Sequence, residues 1–358
     1  MANPYELWQT RQLLGVFRDS RPENWYFGQF FTNAMRSTSE WIDFEKLPIR
    51  SRELAPFVKP MGRGEGVFTD KVTGYRFKPA NVVVEDAVDP LRPLTYQPGI
   101  DASTVQPSQL TPMQRLALIK LNMMNEMQLA VERRWEWMRA RAVIDAAVTC
   151  TYKDGTSVVV DFQRAPGQTE VLGSGSRWGD SGVSVLGHIQ NIMDTVNNAA
   201  FGGLIDRITM GGGVASVVRQ NDEILAHMDL TIKGGVHTVD RGLASTDKIY
   251  KFGELFVGGA SGHRIELWVN NETYTVKGTQ TRYLANNAII ATASPQSING
   301  YECYGMIVDK DAEYQALPMF PKNFETGERV KVENLSIESA PIFVPINPNA
   351  TYKATVLA

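Results

Sequence analysis

The chain has 358 residues, 43% hydrophobic and 21% charged, a balance that can bury a sizeable core and excludes a disordered tail. Lysine plus arginine is 36 and aspartate plus glutamate 39, so the net charge of −3 excludes a bulk pull toward nucleic acid or anionic membranes, though not a local basic patch. Cys150 and Cys303 are too far apart in sequence for a disulfide framework or a zinc ligand set, and read as reduced, buried thiols of a protein folded in a cytoplasm.

The opening residues MANPYELWQTRQLL lack a basic stretch followed by an apolar run, so no secretory signal is expected. Asn3, Pro4 and Glu6 read as a helix start, with Leu7, Trp8, Arg11 and Leu14 at helical spacing and a stop before Pro22. Trp25, Tyr26, Phe27, Phe30 and Phe31 then form a dense aromatic run. It must be covered, either by the chain's own core or by a neighbouring copy.

Residues 47–108 carry prolines at 48, 56, 60, 79, 90, 93, 98 and 107 and glycines at 62, 64, 66 and 74, which nearly excludes helix. A long extended excursion is expected, with short strands near Phe57-Val58 and Val82-Val83-Val84 and partners elsewhere. Thr111, Pro112 and Gln114 then form a capping box that opens one long helix. Leu116, Met123, Met127, Ala130, Trp137 and Ile144 mark its apolar face, and no proline or glycine interrupts residues 113–148. At 1.5 Å per residue such a helix spans roughly 50 Å. Its charges, among them Lys120, Glu126, Glu132, Arg133, Arg134, Arg139 and Arg141, exclude a membrane span.

Asp154-Gly155 between Thr149–Lys153 and Thr156–Phe162 predicts a hairpin. Residues 165–183, rich in glycine and serine, read as a loop, and 183–201 as a helix with Val185, Ile189, Ile192, Met193 and Val196 inward. Ile205–Met210 predicts a strand, Gly211-Gly212-Gly213 a turn, and 214–227 a short helix. Strands are expected to dominate from 247 onward. Ile265, Leu267 and Val269 alternate before Asn270-Asn271, Tyr274 and Val276 after it, and 330–346 and 351–357 are extended.

Little in the sequence points to chemistry. His188, His227, His237 and His263 make no i,i+3 or i,i+4 pair, so no zinc motif is expected. Gly259-Ala260-Ser261-Gly262-His263 starts like a nucleophile elbow but lacks its final glycine. Gly211–Gly213, between a strand and a helix, is better phosphate context than Gly62–Gly66, yet a plain turn explains it as well. Asp309, Asp311 and Glu313 alternate without a calcium-loop glycine, and Met123, Met124 and Met127 with Trp135 and Trp137 read as core. No catalytic residue, cofactor or metal is expected.

Phe320-Pro321-Lys322-Asn323-Phe324-Glu325-Thr326-Gly327-Glu328 and Ser339-Ala340-Pro341-Ile342-Phe343-Val344-Pro345, with Pro348 beyond, resemble the phage lambda-type major head proteins, the major capsid protein E family. Leu13-Leu14, Pro22, Phe30-Phe31, Ser39–Phe44, Leu54–Val58, Val239–Gly242 and Trp268–Asn271 fit the same family in order. The resemblance implies an α+β chain with the Hong Kong 97 phage capsid fold. Its parts would be an N-terminal arm (1–46), an extended loop (47–108), a peripheral domain with a spine helix (109–164, returning at 316–358) and an axial domain (165–315).

That fold implies a structural subunit of the shell around double-stranded DNA, not an enzyme, assembled in a bacterial host's cytoplasm as hexamers and pentamers. Implied partners are a scaffolding protein, a head protease, a portal, a decoration protein and DNA touched without sequence recognition. The chain opens directly on the arm, so a fused scaffold segment is not expected. Subunit contacts are expected from Trp25, Phe27, Phe30 and Phe31, and from Arg63, Glu65, Asp70 and Lys71 on the loop. The alternatives are an encapsulin-like cellular shell, and an α/β hydrolase using Ser261 with His263 or His237.

Overall fold

The computed structural model describes residues 25–39, 41–46, 73–89, 111–227, 248–257, 263–327 and 332–358. The expected helix after Asn3 and the strand near Phe57-Val58 lie outside them. A 3-10 turn at Phe27–Phe30 leads into strand β1 (Phe31–Arg36), followed by β2 (Ile42–Lys46), β3 (Thr73–Phe77) and β4 (Val82–Val88). Helix α1 (Pro112–Ile144) is 33 residues long. Its capping box is reciprocal: Thr111 Oγ1 accepts from the Gln114 N–H at 3.3 Å, and Gln114 Oε1 accepts from the Thr111 N–H at 2.9 Å.

Two expectations for α1 change. The helix stops at Ile144, short of 148, because Ala146 turns into the left-handed region at φ 51° and Ala147 already pairs with Asp161. Its buried face holds the expected Met123, Met127 and Ile144, with Leu116 and Trp137 packed against the core, and adds Ile119, Met124, Val131, Trp135, Met138 and Val143; only Ala130 of the expected stripe is on the exposed side. Charged Lys120, Glu132, Glu136 and Arg139 share that face, which hydrophobic spacing alone could not show.

The hairpin follows as β5 (Ala147–Thr151) and β6 (Ser157–Asp161). Gly155 takes φ 88°, and Asp154 Oδ1 accepts from both the N–H and the hydroxyl of Thr156. The expected loop at 165–183 contains a strand, β7 (Thr169–Val171), and a buried Trp178. Trp178 is anchored by its backbone N–H to the Val356 carbonyl and by its indole N–H to His188 Nδ1. Then come α2 (Val185–Asn198), β8 (Ile205–Met210), α3 (Gly212–Val218) and α4 (Asp222–His227).

The strand-rich remainder comprises β9 (Ile249–Val257), β10 (His263–Asn270), β11 (Thr273–Val276), β12 (Thr279–Arg282) and β13 (Ala288–Ala293). The one-turn helix α5 (Pro295–Ile298) precedes β14 (Gly300–Tyr304), β15 (Phe320–Thr326), β16 (Val332–Ser339), β17 (Pro341–Pro345) and β18 (Thr351–Thr355). The two alternating runs around Asn270-Asn271 do not pair with each other. β10 lies between β9 and β8, while β11 folds onto β12 through Lys277 and Gly278, both at positive φ.

Two cores result. In the first, α1 packs against β4, β14, β16, β17 and the aromatic turn, beside the three-stranded sheets β1-β14-β17 and β15-β16-β4. In the second, α2, α3 and α4 cover a six-stranded sheet ordered β7-β18-β13-β8-β10-β9. Strands cross between them. β14, from the 165–315 stretch, pairs with β1 and β17 in the first core, and β18, from the 316–358 stretch, sits between β13 and β7 in the second. Both faces of β18 are covered, which suits its central place in the sheet.

Gly300 sits where β14 meets the aromatic turn. A Cβ there would lie 2.3 Å from the Phe30 carbonyl oxygen and 2.8 Å from Phe31 Cδ1. Gly300→Ala is expected to destabilise the protein by about 1–3 kcal/mol, read as a lower urea midpoint. The control Gly167→Ala, with nothing within 4 Å of the added Cβ, is expected to change stability by less than about 0.5 kcal/mol. An unchanged midpoint for Gly300→Ala would contradict the close β1–β14 approach.

Candidate functional site

The buried face of α1 carries ions that its own helix cannot satisfy. Glu136 is fully buried, and its Oε1 accepts from the Phe27 N–H at 2.7 Å. Arg139 Nη1 lies 3.7 Å from Glu136 Oε2. The same guanidinium bonds Glu302 on β14 and lies 4.7 Å from the ring centroid of Phe343 on β17. Tyr304 donates its hydroxyl to Glu302 Oε2 at 3.1 Å and packs its ring on Trp135. Farther up the helix, Lys120 Nζ reaches Glu333 of β16 at 2.7 Å. One helix face thereby fixes the aromatic turn, β14, β16 and β17 by polar as well as apolar contacts.

The turn is held from its other side too. The Tyr26 hydroxyl bonds Thr209 Oγ1 at 2.5 Å. Arg207 donates to Gln29 Oε1, pairs with Glu266 at 3.1 Å and stacks on Trp268. Thr209 and Arg207 belong to β8 and Glu266 and Trp268 to β10, so residues 26–30 stitch the first core to the six-stranded sheet.

This placement corrects part of the expected contact set. Phe27, Phe30 and Phe31 are 1%, 2% and 5% exposed within the single chain, so their side chains serve its own core and are not free to meet a neighbour. Trp25 is half-buried. Arg63, Glu65, Asp70 and Lys71 lie outside the described residues, as do Ser261 and His237. His263 Nε2 contacts the Ile205 carbonyl at 2.9 Å and Asp206 at 3.2 Å, a structural role beside β8. Asp309 and Asp311 both bind Lys322 Nζ at 2.7 Å, and that hydrogen bond holds Asp309 below the usual carboxylate range. Among the described residues no three potential ligands gather into a metal-type cluster. Cys303 is fully buried, which pushes its thiol up to about 12, whereas Cys150 is only half-buried. Met123, Met124, Met127 and Trp135 are core, with Trp137 at its margin beneath Arg134.

Among the described residues, what faces outward includes sheet edges and isolated apolar side chains. Val159 on β6 is 60% exposed, Val171 on β7 74% and Val83 on β4 57%. β4 and β15 bound one sheet, and β7 and β9 bound another. Edges of this kind leave backbone donors and acceptors for pairing with another chain. None of them was marked by a sequence motif, since exposure depends on which strand ends up outermost.

The family model for phage major capsid protein E matches residues 9–356. Among solved structures, a protein of an E. coli CFT073 prophage described as a capsid protein superposes with a TM-score of 0.71 at 16% identity, covering 98% of this chain and 100% of that one. The capsid of cyanophage P-SCSP1u gives 0.47 at 12% identity, covering 94% of this chain and 89% of that chain. The holo-SrpI encapsulin complex from Synechococcus elongatus PCC 7942 gives 0.41 at 8% identity, covering 96% and 95%. No curated protein matches the chain.

Glu136 gives the interior a pH dependence. Burial pushes its carboxyl up to about 7 from an ordinary 4.5, against the opposing pull of the Phe27 N–H and Arg139 and with Glu272 adding to the rise. The folded state therefore favours the neutral acid. The stability tied to this site is present below the unfolded value and is lost as pH rises through about 7. Glu136→Gln keeps an acceptor for the Phe27 N–H and cannot ionise. Between about pH 5 and about pH 8 the wild-type thermal midpoint is expected to fall more steeply than the variant's. Parallel curves would assign the titration to another group.

Proposed function

The chain belongs to the phage major capsid protein E family, a family of structural shell proteins, and has an α+β fold of the Hong Kong 97 capsid type; from that premise we propose that it is the major capsid protein of a tailed phage. In this reading hexamers and pentamers of one chain close into an icosahedral head around double-stranded DNA. The observation that carries it is the family match across residues 9–356. This reading divides the chain into arm 1–46, extended loop 47–108, peripheral domain 109–164 and 316–358 with α1 as spine, and axial domain 165–315, with β14 and β18 crossing between the last two. The exposed sheet edges and the valines on β4, β6 and β7 support this reading, because a closed shell covers such surfaces repeatedly.

Assembly takes place in the bacterial host's cytoplasm and the product is the virion. A scaffolding protein sets the curvature, a head protease clears the interior, a portal occupies one vertex and a decoration protein coats the outside. Packaged DNA meets the inner face without sequence recognition. Arg63, Glu65, Asp70 and Lys71 supply both charge signs for links to the next subunit. Each exposed pair is worth about 0–1 kcal/mol, and the contact recurs at every subunit.

Electron microscopy of the purified protein, expressed with its scaffold, tests the reading directly. Rings or closed shells that acquire portal and DNA in infected cells are the expected result. Shells that co-purify with enzymes as cargo would favour a cellular compartment, and a strict monomer at all concentrations would sink both.

Replacing residues 62–72, which stops short of β3, with a short Gly-Ser linker separates folding from assembly. The subunit is expected to stay soluble with a near wild-type thermal transition while shell yield collapses. A normal yield would remove the loop from the assembly interface, and an unfolded subunit would place it in the core.

A further inference from the structure

The tri-glycine turn after β8 borders an open cleft of about 630 Å³ that the shell reading leaves unused. Packing alone accounts for the glycines. A Cβ on Gly211 would lie 2.1 Å from the Ala285 carbonyl oxygen, on Gly212 2.4 Å from Asn271 Oδ1, and on Gly213 2.8 Å from the Asn286 carbonyl oxygen. Their absence of side chains lets the turn settle onto the loops at 271 and 286, and the cleft opens at that junction.

The chemistry of its wall is one-sided. Among the described residues every side chain lining it is cationic or neutral and polar, with no carboxylate and no apolar side chain. Lys248 and Arg282 supply the charge, and neither has a carboxylate partner among the described residues. The hairpin that forms one side, residues 273–282, adds Lys277 and contains no aspartate or glutamate. For a chain whose net charge is −3, this is a local reversal.

The hydrogen bonds along the wall lean the same way. Asn271 Oδ1 accepts from Arg282 Nη1 at 2.8 Å. Thr273 Oγ1 accepts from Lys248 Nζ at 2.9 Å and from Gln280 Nε2 at 2.7 Å, which uses both its lone pairs. These bonds hold the two cations in place and consume acceptors. What remains is mainly donor capacity: two of the three Lys248 N–H groups, most of the Arg282 fork, the second Gln280 N–H and the Thr273 hydroxyl proton, beside the amide oxygens of Gln280 and Asn286. A complementary ligand is negatively charged and presents several oxygens to donors from separate elements.

We propose that this cleft binds a phosphate group. A tetrahedral phosphate offers acceptors in several directions at once, which matches donors from β11, β12, the 271 loop and Lys248 better than a planar carboxylate does. The phosphate has two possible sources, the backbone of nucleic acid or a free phosphate ion. The nucleic-acid source rests on the reading of this chain as a DNA-enclosing shell, and the free ion does not.

The test uses the full chain and four variants: Lys248→Gln, Arg282→Gln, the double substitution, and Lys153→Gln on the distant hairpin as a control. Thermal transitions first confirm that each variant folds. Inorganic phosphate is titrated by calorimetry, and a fluorescein-labelled DNA duplex of no special sequence by anisotropy. Wild type is expected to bind at least one probe, each cation removed is expected to weaken binding about tenfold, and Lys153→Gln is expected to leave it unchanged. Parallel loss of duplex binding identifies the DNA backbone as the source. Loss of phosphate binding with duplex binding unchanged identifies the free ion, and leaves the site standing apart from the shell reading. Failure of wild type to bind either probe overturns the proposal, as do cleft variants that bind like wild type. Competition by a polyglutamate peptide that phosphate cannot match would also overturn it, by assigning the cleft to an acidic protein.

Discussion

Glu136 is fully buried, and the first core is arranged around what reaches it. The Phe27 N–H comes from a segment more than a hundred residues earlier in the chain, and Arg139 brings Glu302 from far downstream. Arg139 is a buried cation, and a buried ion that loses its partner leaves an uncompensated charge, at a cost of roughly 3–5 kcal/mol. The aromatic turn, β14 and β17 are therefore not interchangeable with other apolar segments of similar volume. Hydrophobic burial would accept α1 packed in several rotations. The Lys120–Glu333 and Arg139–Glu302 pairs accept one.

That single arrangement also reaches the second core. Residues 26–30 touch α1 on one side and β8 and β10 on the other, while β14 and β18 each pair within the core opposite to their neighbours in sequence. The two cores cannot slide past one another without breaking strand ladders and the Arg207 contacts together. A shell subunit has a use for this. Individual exposed contacts are weak, so closure depends on many of them forming in register. Errors in subunit geometry would accumulate around the shell, and an interlocked body limits them.

Local signals in the sequence marked several of the elements. Thr111 and Gln114 marked the start of α1, Asp154-Gly155 the β5–β6 turn, and Ile205–Met210 was read as a strand with the bounds it has. These depend on residues within a few positions of each other. The apolar stripe of α1 was legible apart from Ala130, but the charges buried beside it, Lys120, Glu136 and Arg139, were not, because only distant partners make them tolerable. The aromatic run of 25–31 was correctly read as needing a cover, but its composition could not say whose. β7 was missed because three residues between glycine-rich turns carry no alternation, and its strand character comes from pairing with β18. At the cleft, the tri-glycine was visible as a motif, while the donors that give it chemical character converge only after β11 and β12 fold back.

The near balance of charge connects these observations. A shell packs many copies of one chain at high local concentration, and a strongly charged subunit would repel its neighbours over distances that salt screens only beyond about 10 Å. A net charge of −3 on 358 residues avoids that repulsion. It also means that any attraction to an anion has to be built locally, from a few cations freed of acidic partners. The chain pairs Lys120, Arg139, Arg207, Lys251 and Lys322 with carboxylates. Lys248 and Arg282 are held instead by a threonine and an asparagine, which orient a cation without neutralising it. Orienting cations with neutral side chains concentrates positive potential in one cleft while the subunit as a whole stays close to neutral.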